Sequence, residues 1–238
     1  MFQAETVYPQ AEGEVQLLLG PTFSDGEDRN LFQVPFSIEY GITDVWQLEV
    51  TWNTFVNRNP ETDATTRGIG DLEIATKYSF MNIAGSDFHA AVGLEIGFPA
   101  GDIDRELTEG FIEYELFLIL AKDFPEWNHS QLFTQIGFGL VDRVKSPDDP
   151  SDEEPSAHEL NWTVGFFVPV GPLRFTTEFS WMTNEWNHGG EESNTFLTPG
   201  VVWDLPGTWE WGVGVPIGLN DESDNYQIIT QLIYEFDL

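Results

Sequence analysis

The residues that could carry nucleophilic or acid–base chemistry are few, because the sequence has four histidines and no cysteine. Three of them, His129, His158 and His188, fall in predicted connections or at strand ends. His89 could lie opposite Ser79, but no third residue that would orient the imidazole is apparent. Neither a Gly-x-Ser-x-Gly sequence nor a histidine cluster with zinc spacing occurs. We therefore predict no catalytic residue, no metal site and no cofactor, and we do not expect an enzyme.

Carboxylates are the abundant charged groups, since 41 Asp and Glu against 9 Lys and Arg give a formal net charge of −32. Such an excess repels phosphate, which argues against nucleic acid as a partner, and it attracts cations. The charge has two interpretations that both stay open, a role in cation selectivity and adaptation to a saline medium. Which carboxylates share one surface depends on the secondary structure that carries them.

Period-two alternation is the main structural signal along the chain. In residues 88–98, for example, Phe88, Val92 and Leu94 share one face and Glu95 lies on the other. The segments are mostly about ten residues long, the length that a tilted strand needs to cross a bilayer. No run of 18 apolar residues occurs, so no transmembrane helix is predicted. The twelve predicted strands are 13–22, 31–40, 45–56, 71–81, 88–98, 111–121, 131–141, 159–169, 173–182, 195–204, 209–219 and 226–238.

The connections between these segments alternate in length. Short turns are predicted at 41–44, 82–87, 171–172 and 205–208, a longer turn at 122–130, and polar loops at 57–70, 99–110, 142–158 and 183–194. Short periplasmic turns and longer extracellular loops are typical of bacterial outer-membrane barrels. We therefore predict an all-β, twelve-stranded antiparallel transmembrane β-barrel with up-and-down topology. Residues 13–238 form the single barrel domain, and residues 1–12 form a periplasmic N-terminal tail.

Four short motifs carry a resemblance to a known family. They are Gly68-Ile-Gly-Asp-Leu-Glu-Ile-Ala-Thr-Lys-Tyr78, Gly97-Phe-Pro-Ala-Gly-Asp102, Thr198-Pro-Gly-Val201 and Gly214-Val-Pro-Ile-Gly-Leu219. In order and spacing they resemble the outer-membrane channel family named for the meta-pathway of phenol degradation. The resemblance implies an outer-membrane barrel and the passage of small molecules, aromatic ones among them. The first residues lack a basic region followed by an apolar stretch, so we expect the export signal to have been removed.

The polar face of the strands defines the predicted lumen. Residues on this polar face have lumen parity, because every second residue of a strand points the same way. The pore-lining residues predicted in this way are Glu49, Glu73, Lys77, Glu95, Glu113, Glu115, Arg174 and Glu178. Glu210 and Glu235 share that parity. Hairpin geometry places Glu73 opposite Glu95, and Glu95 opposite Glu113 or Glu115. Such a cluster is either a solvated wall or a group that shares protons or holds a cation. Both interpretations make the lumen cation-preferring.

Two basic residues complete the predicted lumen. Lys77 is expected to face Glu49, and Arg174 to lie beside Asp204. These contacts would neutralise local acids and leave the Glu73, Glu95 and Glu113/Glu115 cluster unpaired.

The leading functional interpretation is a narrow, acidic pore for passive passage of small solutes, with outer-membrane lipid around it. An alternative is a non-transporting scaffold or anchor whose acidic loops bind partners. Bulky residues predicted in the lumen, Phe117, Phe133 and Phe167, would favour an occluded barrel. A soluble acidic β-sandwich that binds carbohydrate is the third possibility, although Lys and Arg are nearly missing from the polar faces. Some twelve-stranded barrels are lipases, so an enzyme stays as a minor alternative.

Overall fold

The computed structural model describes residues 1–27, 29–60, 64–108, 110–143, 158–183 and 193–238. Within these residues, twelve antiparallel strands follow one another around a closed barrel. They are β1 (Glu14–Leu19 and Thr22–Asp25), β2 (Arg29–Thr43), β3 (Trp46–Pro60), β4 (Thr66–Gly68 and Leu72–Phe80), β5 (Phe88–Phe98), β6 (Phe111–Phe124), β7 (Ser130–Arg143), β8 (His158–Val170), β9 (Leu173–Thr183), β10 (Ser193–Asp204), β11 (Trp209–Gly214 and Ile217–Gly218) and β12 (Tyr226–Asp237). Strand β12 pairs with β1, so the ring closes and the predicted architecture is confirmed.

The two faces of the barrel wall have opposite chemistry, and β6 illustrates this division. Leu116 and Leu118 point outward and are 58% and 45% exposed, whereas Phe117 and Ile119 point into the lumen and are buried. An apolar outer face suits contact with lipid chains, which cannot hydrogen-bond to polar groups. Closure of the sheet satisfies the backbone N–H and C=O groups between strands. In the described part of the chain, no helix is long and apolar enough to span a membrane.

The strands extend farther at the long-loop end than the sequence predicted. Half of the predicted loop 57–70 is strand, because Val56 pairs with Gly68 and Arg58 with Thr66. The remaining connection is 61–65, of which residues 61–63 lie outside the described part. Most of the predicted loops 142–158 and 183–194 lies outside the described residues too, including the acidic stretch 146–156.

The N-terminal segment lies inside the barrel, whereas the sequence predicted residues 1–12 to be a periplasmic tail. It enters from the short-turn end, where β1 begins. Val7 is 1% exposed and packs in one cluster with Phe117 and Phe133 of the wall. Such burial removes apolar surface from water and is worth roughly 25 cal/mol per Å². The bulky lumen residues thus form an apolar patch that the segment covers.

Candidate functional site: the acidic lumen

Paired positions on neighbouring strands form a continuous line along the inner wall, and most of these positions carry a carboxylate. Starting from β12, these positions are Glu235, Gln16, Glu39, Glu49, Ala75, Glu95, Glu115, Gly139 and Glu159. We call them the carboxylate row. Each of its six glutamates lines a cavity of the lumen. The row therefore faces the interior over nine consecutive strands, since adjacent strands contribute one position each.

The row runs from one end of the barrel to the other. Glu235 lies near the end of β12 at Asp237, on the short-turn side, while Glu159 follows directly after the first residue of β8, on the long-loop side. Strands of outer-membrane barrels tilt by about 35–45° from the barrel axis. A line perpendicular to the strands therefore rises along the barrel axis as it passes around the wall. Successive positions are about 4.8 Å apart, the usual spacing of neighbouring strands.

Neutral groups make most of the contacts of the row. Glu39 accepts hydrogen bonds from the side-chain amides of Gln16 (2.7 Å) and Gln47 (3.0 Å). Glu115 accepts a hydrogen bond of 2.7 Å from the Asn161 amide. These amides satisfy individual carboxylate oxygens and carry no positive charge of their own.

The two basic residues predicted for the lumen bind acids that lie outside the row. Lys77 is 2% exposed, and its Nζ lies 3.1 Å from Glu5 Oε2 of the N-terminal segment. Arg174 binds Asp204 at 2.9 Å and also pairs with Glu210, near the short-turn end. None of these three ion pairs includes a glutamate of the carboxylate row.

The predicted pore-lining residues fall into separate groups. Glu49, Glu95 and Glu115 belong to the carboxylate row. Glu73 and Glu113 lie one step closer to the long-loop end, on either side of Gly97. Glu178 is fully buried on the opposite wall, where it contacts the N-terminal segment. Across the described residues, no group of three or more His, Asp and Glu side chains has the geometry of a metal site.

The observed register differs from the prediction in two hairpins, β4–β5 and β3–β4. Glu95 faces Ala75 instead of Glu73, because the turn between β4 and β5 is longer than a symmetric count assumes. Asn82 and Ala84 both have positive φ in that turn, which shifts the last pairs by two residues. Glu95 does face Glu115, one of the two partners that the hairpin count allowed.

The pairing between β3 and β4 also shifts by two residues, but in the opposite direction. Lys77 faces Gln47 and not Glu49. The prediction took residue 63 as the midpoint of this hairpin, so that paired residues lie at equal distances on either side of it. The observed pairs place the midpoint one residue earlier. Glu49 therefore lies opposite Ala75, two residues along β4 from Lys77.

The connection between β5 and β6 folds back over β4 at the long-loop end. Asp71 accepts hydrogen bonds from the backbone N–H groups of Ala100 (3.0 Å) and Gly101 (3.1 Å) and from the Thr108 hydroxyl (2.9 Å). Glu106 of this connection also pairs with Arg58 of β3. Together with the wall, the folded loop encloses an outer vestibule of about 620 Å³.

A family model described as a putative MetA-pathway of phenol degradation matches residues 38–236, which is most of the barrel. The chain belongs to this family. The family assignment confirms the resemblance inferred from the four short motifs. A search of curated protein sequences found no match.

Solved structures similar to this member of the phenol-degradation family are outer-membrane barrels. The NanC porin has a TM-score of 0.61 and 10% identity, over 93% of this chain and 100% of NanC. The KdgM porin in complex with disordered oligogalacturonate has 0.59 and 8%, over 94% and 99%. The CymD monoaromatic hydrocarbon channel has 0.50 and 9%, over 96% and 89%. At these identities the similarity establishes the fold, that of a porin-like outer-membrane barrel.

The motifs that signal the phenol-degradation family occupy two places in the fold. Asp71, from the first motif, holds Ala100 and Gly101 of the second, so these two motifs shape the outer vestibule. The third and fourth motifs bring Gly200 and Gly214 together across β10 and β11. The Phe2 ring lies on these glycines, and a Cβ at Gly214 would be only 2.6 Å from Phe2 Cγ.

Replacement of Asp71 by alanine is expected to release the folded loop. The variant loses three hydrogen bonds to a carboxylate, each worth about 1.5–3 kcal/mol before relaxation. Trypsin should then cut at the exposed Arg105 in the loop several-fold faster than in the wild type. The matched control is Asp104→Ala, which removes an exposed carboxylate from the same loop. Equal cleavage rates in the two variants would contradict a holding role for Asp71.

Sequence reasoning missed the polar cluster that His89 joins. The imidazole Nδ1 accepts a hydrogen bond from the Asn82 N–H (3.0 Å), and Nε2 lies 3.2 Å from Asp123 Oδ2. The Tyr8 hydroxyl donates to the same Asp123 oxygen at 2.6 Å. Both ring nitrogens are therefore engaged in contacts, while Ser79 faces Ala91 across the β4–β5 pair and does not face His89. Asp123 has lumen parity on β6, but its partners come from distant parts of the chain that no local pattern connects.

Proposed function

We propose that this protein is an outer-membrane pore for small solutes whose acidic lumen prefers cations. The observation that carries the proposal is the carboxylate row, which passes from the short-turn mouth at Glu235 to the long-loop mouth at Glu159. Fixed carboxylates that line a pore select cations, because they attract positive ions and repel negative ones. A row that spans the wall offers a cation favourable positions along the whole path.

The dimensions of the lumen support small solutes. The outer vestibule of about 620 Å³ and an inner cavity of about 420 Å³ are within the range of sites for small molecules. The vestibule carries apolar side chains beside its charges, including Leu31, Phe98 and Leu107. This mixed lining suits organic solutes, and small aromatic molecules are a candidate class in view of the family and of the CymD channel.

Reversal potentials in planar bilayers test the proposed cation preference. Under a tenfold gradient of KCl, the conducting state is expected to show a potential of the sign that K⁺ permeation gives. The preference should weaken when both solutions are made more concentrated, because the Debye length shrinks from about 10 Å at 0.1 M to 3 Å at 1 M. A reversal potential of the sign that Cl⁻ permeation gives would overturn the proposal.

The alternative function is a non-transporting scaffold, and the occupied lumen favours it. Phe117, Phe133 and Val7 form an apolar cluster inside the barrel, where a permanently open pore would hold water. A non-transporting scaffold should give no single-channel currents above the background of the bilayer under any condition. The two functions therefore differ in a direct measurement on the purified protein.

A further inference from the structure

The N-terminal segment is bound to the lumen wall through its backbone. Glu178 accepts hydrogen bonds from two successive N–H groups, those of Phe2 (3.0 Å) and Gln3 (2.8 Å). Farther along the segment, the N–H of Glu5 donates to the Gln135 amide oxygen at 2.8 Å. The wall side chains Glu178 and Gln135 are both buried. Their contacts are to groups that every non-proline residue carries, so they recognise a peptide by its main chain.

The wall also donates hydrogen bonds to backbone carbonyls of the segment. Lys77 Nζ binds the carbonyl of Thr6 at 2.7 Å, and the Ser79 hydroxyl binds the carbonyl of Val7 at 2.8 Å. Lys77 and Ser79 are almost completely buried by these contacts. The donors come from β4 and the acceptors from β7 and β9, so the segment crosses the lumen between opposite walls.

Phe2 provides a side-chain anchor at the start of the segment. Its ring lies on a flat floor made by Gly200, Gly212 and Gly214 of β10 and β11. Larger residues at these positions would occupy the space of the ring, so the floor requires glycine. The pocket and the backbone contacts together form a built binding site with a defined aromatic position.

The bound segment narrows the path along the carboxylate row. Glu5 and Glu49 also line the inner cavity of about 420 Å³, but the cavity that Glu5, Glu49 and Glu95 share measures about 10 Å³. That volume is near the minimum needed to hold one water molecule. The bound segment therefore leaves no room for a hydrated cation in the space between Glu5, Glu49 and Glu95.

We propose that the lumen contains a peptide-binding site whose ligand is residues 2–10 of the same chain, and that release of this segment opens the pore. The ligand class is a peptide with an aromatic residue near its beginning. The opening step rests on the proposed pore function, whereas binding of the segment to the wall does not.

A disulfide can test both parts in the full-length protein. The native chain has no cysteine, and Phe2 Cγ is 2.6 Å from the position of a Cβ at Gly214, so the pair Phe2→Cys/Gly214→Cys is within bonding reach. After mild oxidation we expect both thiols to be lost and the conductance to be low. Dithiothreitol breaks the disulfide, and the reduced variant has no Phe2 ring to hold the segment at the wall. The segment should then leave the lumen, and the conductance should rise several-fold.

The single variants Phe2→Cys and Gly214→Cys are the matched controls, and neither should respond to dithiothreitol. Thiols that stay reactive after oxidation would overturn the binding site, because the segment would not lie at the wall. A disulfide that forms without changing the conductance would overturn the opening step. Loss of cation preference in the reduced, open pore would instead contradict the proposed function and leave the binding site standing.

A second variant covers the case in which the cysteine pair does not fold. Glu178→Ala removes two hydrogen bonds to the segment and keeps the anchor pocket. The open fraction should rise about tenfold or more, because hydrogen bonds to a charged group contribute at least 1.5 kcal/mol. Glu222→Ala, in an exposed connection, is the control. An unchanged open fraction in a folded Glu178→Ala variant would overturn the proposal.

Discussion

Replacement of Glu39, Glu49, Glu95 and Glu115 together by glutamine is expected to remove most of the cation preference of the conducting state. Glutamine keeps the shape and hydrogen-bonding capacity of glutamate but removes its charge. Charged clefts concentrate counter-ions by about 10-fold or more, so the cation-to-anion permeability ratio should fall by a similar factor. The reversal potential under a KCl gradient should move close to zero.

The control carries the same number of substitutions outside the row. Suitable exposed glutamates are Glu12, which precedes β1, and Glu27, Glu126 and Glu222 in connections. Their replacement by glutamine changes the net charge equally, so it separates a general effect of charge from an effect of position. A control variant that loses as much selectivity as the row variant would show that the row is not the filter. The row variant should fold because removal of facing like charges relieves repulsion, and the control variant should fold because its substitutions lie at exposed positions.

The strands of the barrel can be predicted from the sequence because lipid-facing and lumen-facing residues alternate along each strand. Leu116, Phe117 and Leu118 show why, since their environments change at every residue and the period-two pattern records that change directly. Lipid outside and a polar lumen inside impose opposite requirements on neighbouring positions. Strand number and parity follow from these requirements without knowledge of any contact between strands.

Register is harder to predict, because it depends on turn geometry. Ala75, and not Glu73, faces Glu95, since Asn82 and Ala84 adopt positive φ within the turn. A shift of two residues keeps each side chain on its predicted face, so parity survives the error. The carboxylate row, however, exists only in the observed register, and therefore parity alone could not reveal it.

The bound N-terminal segment has no local signal at all. Its contacts join Phe2 to Glu178 and Tyr8 to Asp123, across more than a hundred residues of sequence. The segment has neither alternation nor a helical period, so its sequence is compatible with a solvated tail. What holds it is the polar and apolar surface of the lumen, which exists only after the barrel closes.

Leu118→Arg is expected to destabilise the barrel by about 2–4 kcal/mol, because it places a charge on the lipid face at the midplane of the bilayer. Leu118 lies in the middle of β6 and is 45% exposed on the outer surface. The free energy of unfolding should be measured by guanidinium titration in lipid vesicles, where the lipid environment is retained.

Phe88→Arg is the depth control for this measurement. Phe88 is equally exposed on the outer face, but it is the first residue of β5 and lies at the short-turn end. An arginine there can reach the polar headgroups, so the cost should fall to about 0–1 kcal/mol. A soluble fold would show no such dependence on depth, since water would solvate an arginine at either position. Equal effects of the two substitutions would therefore contradict a membrane-spanning wall, and with it every functional interpretation that requires a pore.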